Sequence, residues 1–242
     1  MAHKKVVIGN ATLYYGDCVQ VLKNGIGRVD ITVTSPRYNT LHHAPQGSGI
    51  FKANKWIKRS ANAYDDKTDE KEYQQWLRTV FDLCQIKTRG LMWINHKVRY
   101  RGRVGIHPLR ILPYPLYMEV IWERGRSLAL NSNRFAPSHE GVWGFGKPHY
   151  WNEFENSRLS VWRIPPAFDA VHPCPFPRKL VEPLILASCP FGGIVLDPMM
   201  GIGTTGLVAL SQGRRFIGIE NKKKFFDRAC RNMEEFYLKK RP

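Results

Sequence analysis

The sequence predicts an α/β domain built on a mostly parallel, helix-covered sheet. Two observations carry this expectation. The last third alternates strand, glycine turn, helix, strand and helix, the order that parallel strands with crossover helices require. Upstream, two apolar strand patterns, "VDITVTS" (29–35) and "RGLMWINH" (89–96), flank a long amphipathic helical pattern. The 242 residues fit one domain, 1–242, long enough to bury a real core.

Taken in order, "ATLYYGD" (11–17) reads as a short strand closing on Gly16-Asp17. The strand in 29–35 runs into Thr34-Ser35-Pro36-Arg37-Tyr38-Asn39, which presents a hydroxyl, an aromatic ring and an amide where an ordinary turn needs none of them. Residues 39–66 follow as a Gly-, Lys-, Asn- and His-rich loop without a sustained period. Connections in compact domains are usually about 4–6 residues. A helix then opens on a capping-box-like Asp69 and Glu72, with Tyr73, Trp76, Leu77, Val80, Phe81 and Cys84 on one core-facing stripe.

After the strand in 89–96, the segment 97–115 is basic and broken by prolines. "LYMEVIWER" (116–124) and "HEGVWGFGK" (139–147) read as two further strands, and 149–166 as irregular. "FPRKLVEPLILASCP" (176–190) reads as a helix that Pro183 should kink, because proline removes one backbone bond. The strand "GGIVLDP" (192–198), turn "MMGIGTT", helix "GLVALSQG", strand "RRFIGIE" (214–220) and a helix from Asn221 close the chain.

Charge sets the partner class. Thirty-seven Lys and Arg against 20 Asp and Glu give a net charge of +17, more than a solvated surface needs, and point to a polyanion. Composition does not separate DNA from RNA or anionic lipid, but no basic amphipathic helix with a clean apolar face stands out. No apolar run approaches the ~18 residues of a membrane span, and "MAHKKVVIGN" has no signal-peptide core. Cys18, Cys84, Cys174, Cys189 and Cys230 are scattered without a C-x-x-C pair, so reduced cytoplasmic thiols are expected, with no disulfide and no metal site. His42-His43 lack a second cluster and read as loop or DNA-contacting residues.

The glycine turn carries the ligand signal. A buried strand ends in Asp197-Pro198, Gly201 and Gly203 let backbone approach a ligand, and the next helix presents its N-terminus there. The following strand ends in Glu220, whose carboxylate can accept bonds from two ribose hydroxyls. Gly201 to Gly206 match a dinucleotide fingerprint by letter, yet Asp197 stands where a pyrophosphate needs no carboxylate. A cationic or zwitterionic ligand with an adenosine fits better, and S-adenosyl-L-methionine is that ligand. In the long loop, Trp56 among Lys52, Lys55, Lys58 and Arg59 is the pattern that grips nucleic acid by stacking and charge; a solvated loop is the blander alternative.

These motifs together resemble the permuted group of DNA amino-methyltransferases, in which the catalytic motif precedes the cofactor motif. "TSPRYN" resembles their S/D-P-P-Y-N loop, "LDPMMGIGTT" their D-P-F-x-G-x-G-T loop, and "RRFIGIE" their acidic strand end. "YYGDC" resembles a G-D-C turn against the cofactor adenine, and "HPCPFPRKLVEPLI" an H-P-x-x-x-P segment. "NRFAPSHEGVWGFGK" resembles a later hairpin strand, and the matches are collinear over nearly the whole chain.

The resemblance implies a Rossmann-like class I methyltransferase fold, seven-stranded with an antiparallel terminal hairpin. It implies that Tyr38 stacks on a flipped base while Ser35 Oγ and the Pro36 carbonyl accept hydrogen bonds from an exocyclic amino group. Asp17 and Cys18 would lie at the cofactor adenine, Asp197, Pro198, Gly201, Gly203, Thr204 and Glu220 around the cofactor, and His172 and Lys179 near its carboxylate. Arg37 and Asn39 would face double-stranded DNA.

Arg37 departs from the pattern by replacing a second proline, and Met199 by replacing an aromatic. The segment 148–171 is short for target recognition, which would then also fall to 39–66 and 97–118, with short or relaxed specificity. Ser35 instead of Asp leans toward cytosine N4, with adenine N6 open. An RNA methyltransferase and a non-catalytic DNA-binding protein are the rival expectations. A homodimer and a restriction endonuclease partner are compatible with the resemblance and are read from no particular residue.

Overall fold

The computed structural model describes residues 4–39, 68–101, 104–125, 135–153, 158–172 and 174–240. Parallel strands buried on both faces read as near-continuous apolar runs, and five such strands form its centre. They are β2 (Ala11–Tyr15), β3 (Ile31–Thr34), β4 (Met92–His96), β10 (Ile194–Asp197) and β11 (Arg215–Glu220). Around them stand β1 (Lys4–Ile8), β7 (Leu116–Glu123), β8 (His139–Phe145) and β9 (Val161–Arg163). The order is β1-β2-β11-β10-β3-β4-β8-β7-β9, with β1, β8 and β7 joining antiparallel and β9 parallel to β7. A separate antiparallel pair joins β5 (Arg99–Arg101) to β6 (Val104–Ile106).

Alternation along the central strands sends side chains into two cores. Ile31, Val33, Leu91 and Trp93 pack with α3 (Arg178–Ser188), α4 (Thr204–Ser211) and α5 (Lys223–Leu238). Met92, Ile94, Leu196 and Ile219 face α1 (Cys18–Asn24) and α2 (Glu70–Lys87) on the opposite side. Asp69 caps α2 as expected, accepting the N–H groups of Lys71 and Glu72. The α2 stripe is buried at Tyr73, Leu77, Val80, Phe81 and Cys84, while Trp76 is only half-buried. Pro183 is buried within α3 without ending it.

The fold class is the expected one, and among the described residues the sheet has nine strands where seven were expected. Strand β1 opens with two exposed lysines, and β9 is three residues long inside the segment read as irregular. Helix α1 has seven residues, too few for a helical period, and rests on the Asp17 cap. The proline-broken stretch also holds β5, β6 and a 3₁₀ turn at Pro108–Arg110. Helix α4 starts at Thr204, two residues ahead of the apolar run, and α5 at Lys223. No helix among the described residues is long and apolar enough to cross a membrane.

Candidate active site

The direction of winding reverses between β10 and β3: α4 leads from β10 to β11 on one side, and α2 leads from β3 to β4 on the other. Open α/β sheets hold ligands in the crevice that such a reversal leaves at the strand carboxyl ends. Here Asp197 and Thr34 end the two strands, and Thr34 Oγ1 donates to Asp197 Oδ1 at 2.7 Å. The Met199 N–H donates to the same oxygen at 3.1 Å. One strand further, Glu220 accepts the N–H groups of Lys222 at 2.7 Å and Gly201 at 3.0 Å. Asp197 is 3% exposed and Glu220 4%. Burial lifts their pKa values to about 6 and about 7, against hydrogen bonds that favour the charged forms. No salt bridge among the described residues reaches either acid. Two buried acids with no cationic partner among the described residues suit a ligand that brings positive charge and hydroxyl donors.

The glycine turn points the same way. Gly201 and Gly203 have φ of +54° and +84°, which glycine adopts without strain. Their amides are turned inward, Gly201 N–H to Glu220 and Gly203 N–H to the Met200 carbonyl at 2.8 Å. A phosphate cradle would need those amides outward, over a site without acids. The segment before α3 brings His172 against the turn, its own bend held by Asp169 Oδ1, which accepts the N–H groups of Val171 and His172. A Cβ at Gly201 would come within 3.0 Å of His172 Nε2. Burial holds the His172 imidazole down at about 4, so it is neutral near pH 7.

The remaining cofactor-side residues divide. Gly16 N–H donates to the Glu220 carbonyl at 3.0 Å, which seats the Gly16-Asp17-Cys18 turn beside that acid. Asp17 is exposed and caps α1 through Gln20 N–H at 3.0 Å; Cys18 is buried, and burial pushes its thiol up to about 12. Pro198 is buried, and Thr204 is half-buried where α4 opens. Lys179 is exposed in the first turn of α3 and makes no hydrogen bond or ion pair that ties it to the glycine turn.

Past β3, the loop carrying Ser35 and Tyr38 meets the end of β4 and the start of β8. The Tyr38 hydroxyl lies 2.7 Å from Asn95 Oδ1, 3.0 Å from Glu140 Oε2 and 3.0 Å from Ser35 Oγ. Ser35 Oγ is 3.2 Å from Asn95 Oδ1, and Asn95 Nδ2 donates to the Gly141 carbonyl at 3.1 Å. That bond turns the amide oxygen toward both hydroxyls. Glu140 is 4% exposed and also pairs with Arg124. Both hydroxyl protons therefore have acceptors inside the protein, which leaves lone pairs on Ser35 Oγ for an amine. Burial, with the charge of Glu140, holds the Tyr38 phenol well above its usual range. Its ring stacks on His96 with centroids 4.6 Å apart, and Lys97 Nζ lies 5.3 Å from the ring centroid.

Pro36 is buried, and the Arg37 guanidinium lies 4.6 Å over the Trp76 ring. Asn39 has φ +52°, rare for a residue other than glycine but tolerated by asparagine. Its Nδ2 donates to the Thr68 carbonyl at 2.8 Å, so the chain leaves for residue 40 and returns at 68 beside Tyr38. Lys52, Lys55, Trp56, Lys58, Arg59, His42 and His43 lie outside the described residues. In 97–118, Arg99 chelates Glu70 at 2.6 and 2.8 Å, and Arg101 reaches the same carboxylate at 3.0 Å. Burial opposes ionisation of Glu70, yet the bonds from Arg99, Gln74 and Arg101 bring its pKa down to about 2. Those two arginines are occupied within the fold.

Sequence reading gave no site role to Thr34, to Tyr73, which it placed on the core-facing stripe of a helix, or to Asn95, His96, Arg124 and Glu140. One signal was present: "MWINH" ends an apolar strand in two polar residues, as "DITVTS" does. Glu140 and Arg124 stand at the ends of antiparallel strands, where no local pattern marks them.

A family model described as DNA methylase, of the N6/N4 type, matches residues 29–231. Among curated proteins the chain is similar to the Type II methyltransferase M.ScaI of Streptomyces caespitosus, 27% identical over 92% of this chain and 81% of that one. It is also 24% identical to the Type II methyltransferase M.HinfI of Haemophilus influenzae, over 93% of this chain and 68% of that one. Among solved structures, the cytosine-N4-specific PvuII DNA methyltransferase superposes with a TM-score of 0.73 at 17% identity, covering 96% of this chain and 93% of that one. The M1.HpyAVI–SAM complex superposes with a TM-score of 0.61 at 20% identity, covering 92% and 99%.

Proposed function

Because the chain belongs to the DNA methylase family of N6 and N4 methyltransferases, we propose that it methylates an exocyclic amino group, cytosine N4 or adenine N6, of a base flipped out of double-stranded DNA. The methyl donor is S-adenosyl-L-methionine. The carrying observation is the Thr34–Asp197 bond, which joins the buried acid pair to the residue preceding Ser35. A donor site and an acceptor site for the amine thus share one crevice.

When bound, the cofactor supplies an electrophilic methyl group on a sulfonium. The residues present fit it. Each carboxylate oxygen has two acceptor sites, so Glu220 retains capacity for ribose hydroxyls and Asp197 for the cationic part. The Gly16-Asp17-Cys18 turn stands beside Glu220, where the adenine would lie, and His172 and Lys179 would lie toward the carboxylate. Ser35 Oγ, its own proton directed to Asn95 or Tyr38, accepts from the amine, as does the Pro36 carbonyl. Those bonds would draw the nitrogen lone pair out of conjugation for attack on the methyl, the sulfonium C–S bond breaking to leave a neutral thioether and the amine's surplus proton passing to solvent. Tyr38, backed by His96 on one ring face, stacks on the base with the other. Positioning and hydrogen-bond polarisation do the chemistry.

Recognition on this reading is short or relaxed, since Arg99 and Arg101 are occupied by Glu70 and 148–171 is brief. Arg37 and cations of the stretch 40–67 contact the DNA on this reading; Asn39, 1% exposed and bonded to the Thr68 carbonyl, faces the protein instead. A homodimer or a restriction endonuclease partner enters no step.

Nucleosides from DNA incubated with the protein and labelled cofactor, analysed by mass spectrometry, test the reading. Labelled N4-methyldeoxycytidine or N6-methyldeoxyadenosine is expected. Ser35→Ala should cut its formation at least about tenfold, roughly 1.4 kcal/mol of barrier, with cofactor binding retained. Preferential transfer to RNA, or cofactor binding without any transfer, would overturn it.

A further inference from the structure

The loop that carries Ser35 and Tyr38 is gripped by two side chains of other elements, Tyr73 on α2 and His96 on β4. Both are fully buried. The Lys97 backbone N–H donates to His96 Nδ1 at 2.8 Å. The Lys97 carbonyl lies 2.8 Å from the same nitrogen, so Lys97 holds the imidazole whichever ring nitrogen carries the proton. Nε2 lies 2.9 Å from the Tyr73 hydroxyl, and that hydroxyl lies 2.6 Å from the Arg37 carbonyl. The Tyr73 O–H donates to the Arg37 carbonyl, so the contacts Lys97–His96–Tyr73–Arg37 run unbroken from the end of β4 to the loop. The same imidazole stacks on the Tyr38 ring at 4.6 Å. One histidine therefore holds two consecutive residues of the loop, a carbonyl through Tyr73 and a ring through its own face.

We propose that Tyr73 and His96 are positioning residues for methyl transfer, holding the loop from Ser35 to Tyr38 in its reactive shape. This rests on the function proposed above. The need for such a grip is local. Arg37 stands where a second proline would fix φ, so the loop lacks one covalent restraint, and a bond to the Arg37 carbonyl restrains the same residue. The Arg37 guanidinium over Trp76, on the same helix as Tyr73, anchors it again. A small displacement of reacting atoms costs large factors in rate, so loss of this grip should appear in kcat and leave binding intact.

Tyr73→Phe keeps the ring and removes only the hydroxyl. Its kcat at saturating DNA and cofactor should fall about tenfold, with KM for DNA and cofactor affinity within about twofold of wild type. Tyr114→Phe, which deletes a hydroxyl bonded to Asp82 at 2.6 Å, should leave kcat unchanged. An unchanged kcat in Tyr73→Phe, or a loss matched by lost cofactor binding, would overturn the positioning role. If the wild type transfers no methyl group, the function proposed above fails instead, and amide hydrogen exchange of the loop still decides this inference. Exchange at Arg37 and Tyr38 should be faster in Tyr73→Phe than in the wild type, and unchanged exchange would sink it.

Discussion

Asp197 and Glu220 are acids in a setting that favours their neutral forms until a cation arrives. Their folded pKa values, about 6 and about 7, stand above the ordinary 3.8 and 4.5. In that window the folded state binds more protons than the unfolded chain, so these two groups lower stability as pH rises from about 4 to about 7. His96 and His172, held down at about 3 and about 4, act in the opposite sense as pH rises toward 6.5. The difference between proteins is therefore the readout. Between pH 5 and 7.5, Tm of the cofactor-free Asp197→Asn/Glu220→Gln variant should rise relative to wild type. Cofactor affinity of the wild type should tighten over the same range, since the ionised acids complement a sulfonium. Each single variant should weaken binding by about 1.5–3 kcal/mol in calorimetry at pH 7.5. Unchanged affinity in both would remove these acids from the cofactor site.

The turn from β10 into α4 shows why some elements were legible in sequence and others were not. Strand, Asp197-Pro198, paired glycines, helix and acidic strand end follow one another within 27 residues, Ile194 to Glu220, each marked by its own residue types. Gly201 is the strictest of these marks. An alanine there would adopt a left-handed φ at about 1–2 kcal/mol, with its Cβ 3.0 Å from His172 Nε2. Gly201→Ala should lower stability by at least that amount in chemical denaturation and weaken cofactor binding as His172 gives way. The loop "TSPRYN" was legible for the same reason, being one contiguous stretch. Its supports were not. Asn95, Glu140 and Tyr73 come from β4, β8 and α2, brought together by a strand order that no local period encodes. Short pieces such as α1 and β9 lack the length for a period, and the pairing that defines β9 is made with β7, some 40 residues away.

At the scale of the whole molecule, charge and topology decide how DNA is held. The chain carries +17, while Arg99 and Arg101 are consumed by Glu70 and Arg124 by Glu140. Much of the cation supply for phosphates must come from elsewhere. Residues 40–67 contribute Lys52, Lys55, Lys58, Arg59 and Lys67, and Asn39 to Thr68 closes the ends of that stretch beside Tyr38. The described chain thus stops before these 28 residues and resumes after them beside Tyr38. Phosphate contacts of this kind make affinity fall with salt by a slope near −0.9 per contact on B-DNA. Replacing Lys52, Lys55, Lys58 and Arg59 together with Ala should therefore flatten the slope by up to about 3.6. Affinity should fall about equally for unrelated sequences, because phosphates carry no base identity. Binding titrations at several salt concentrations on three unrelated duplexes give both quantities. An unchanged slope, or a loss confined to one duplex, would take this segment out of the phosphate grip and leave the duplex to be held by the sheet's own rim.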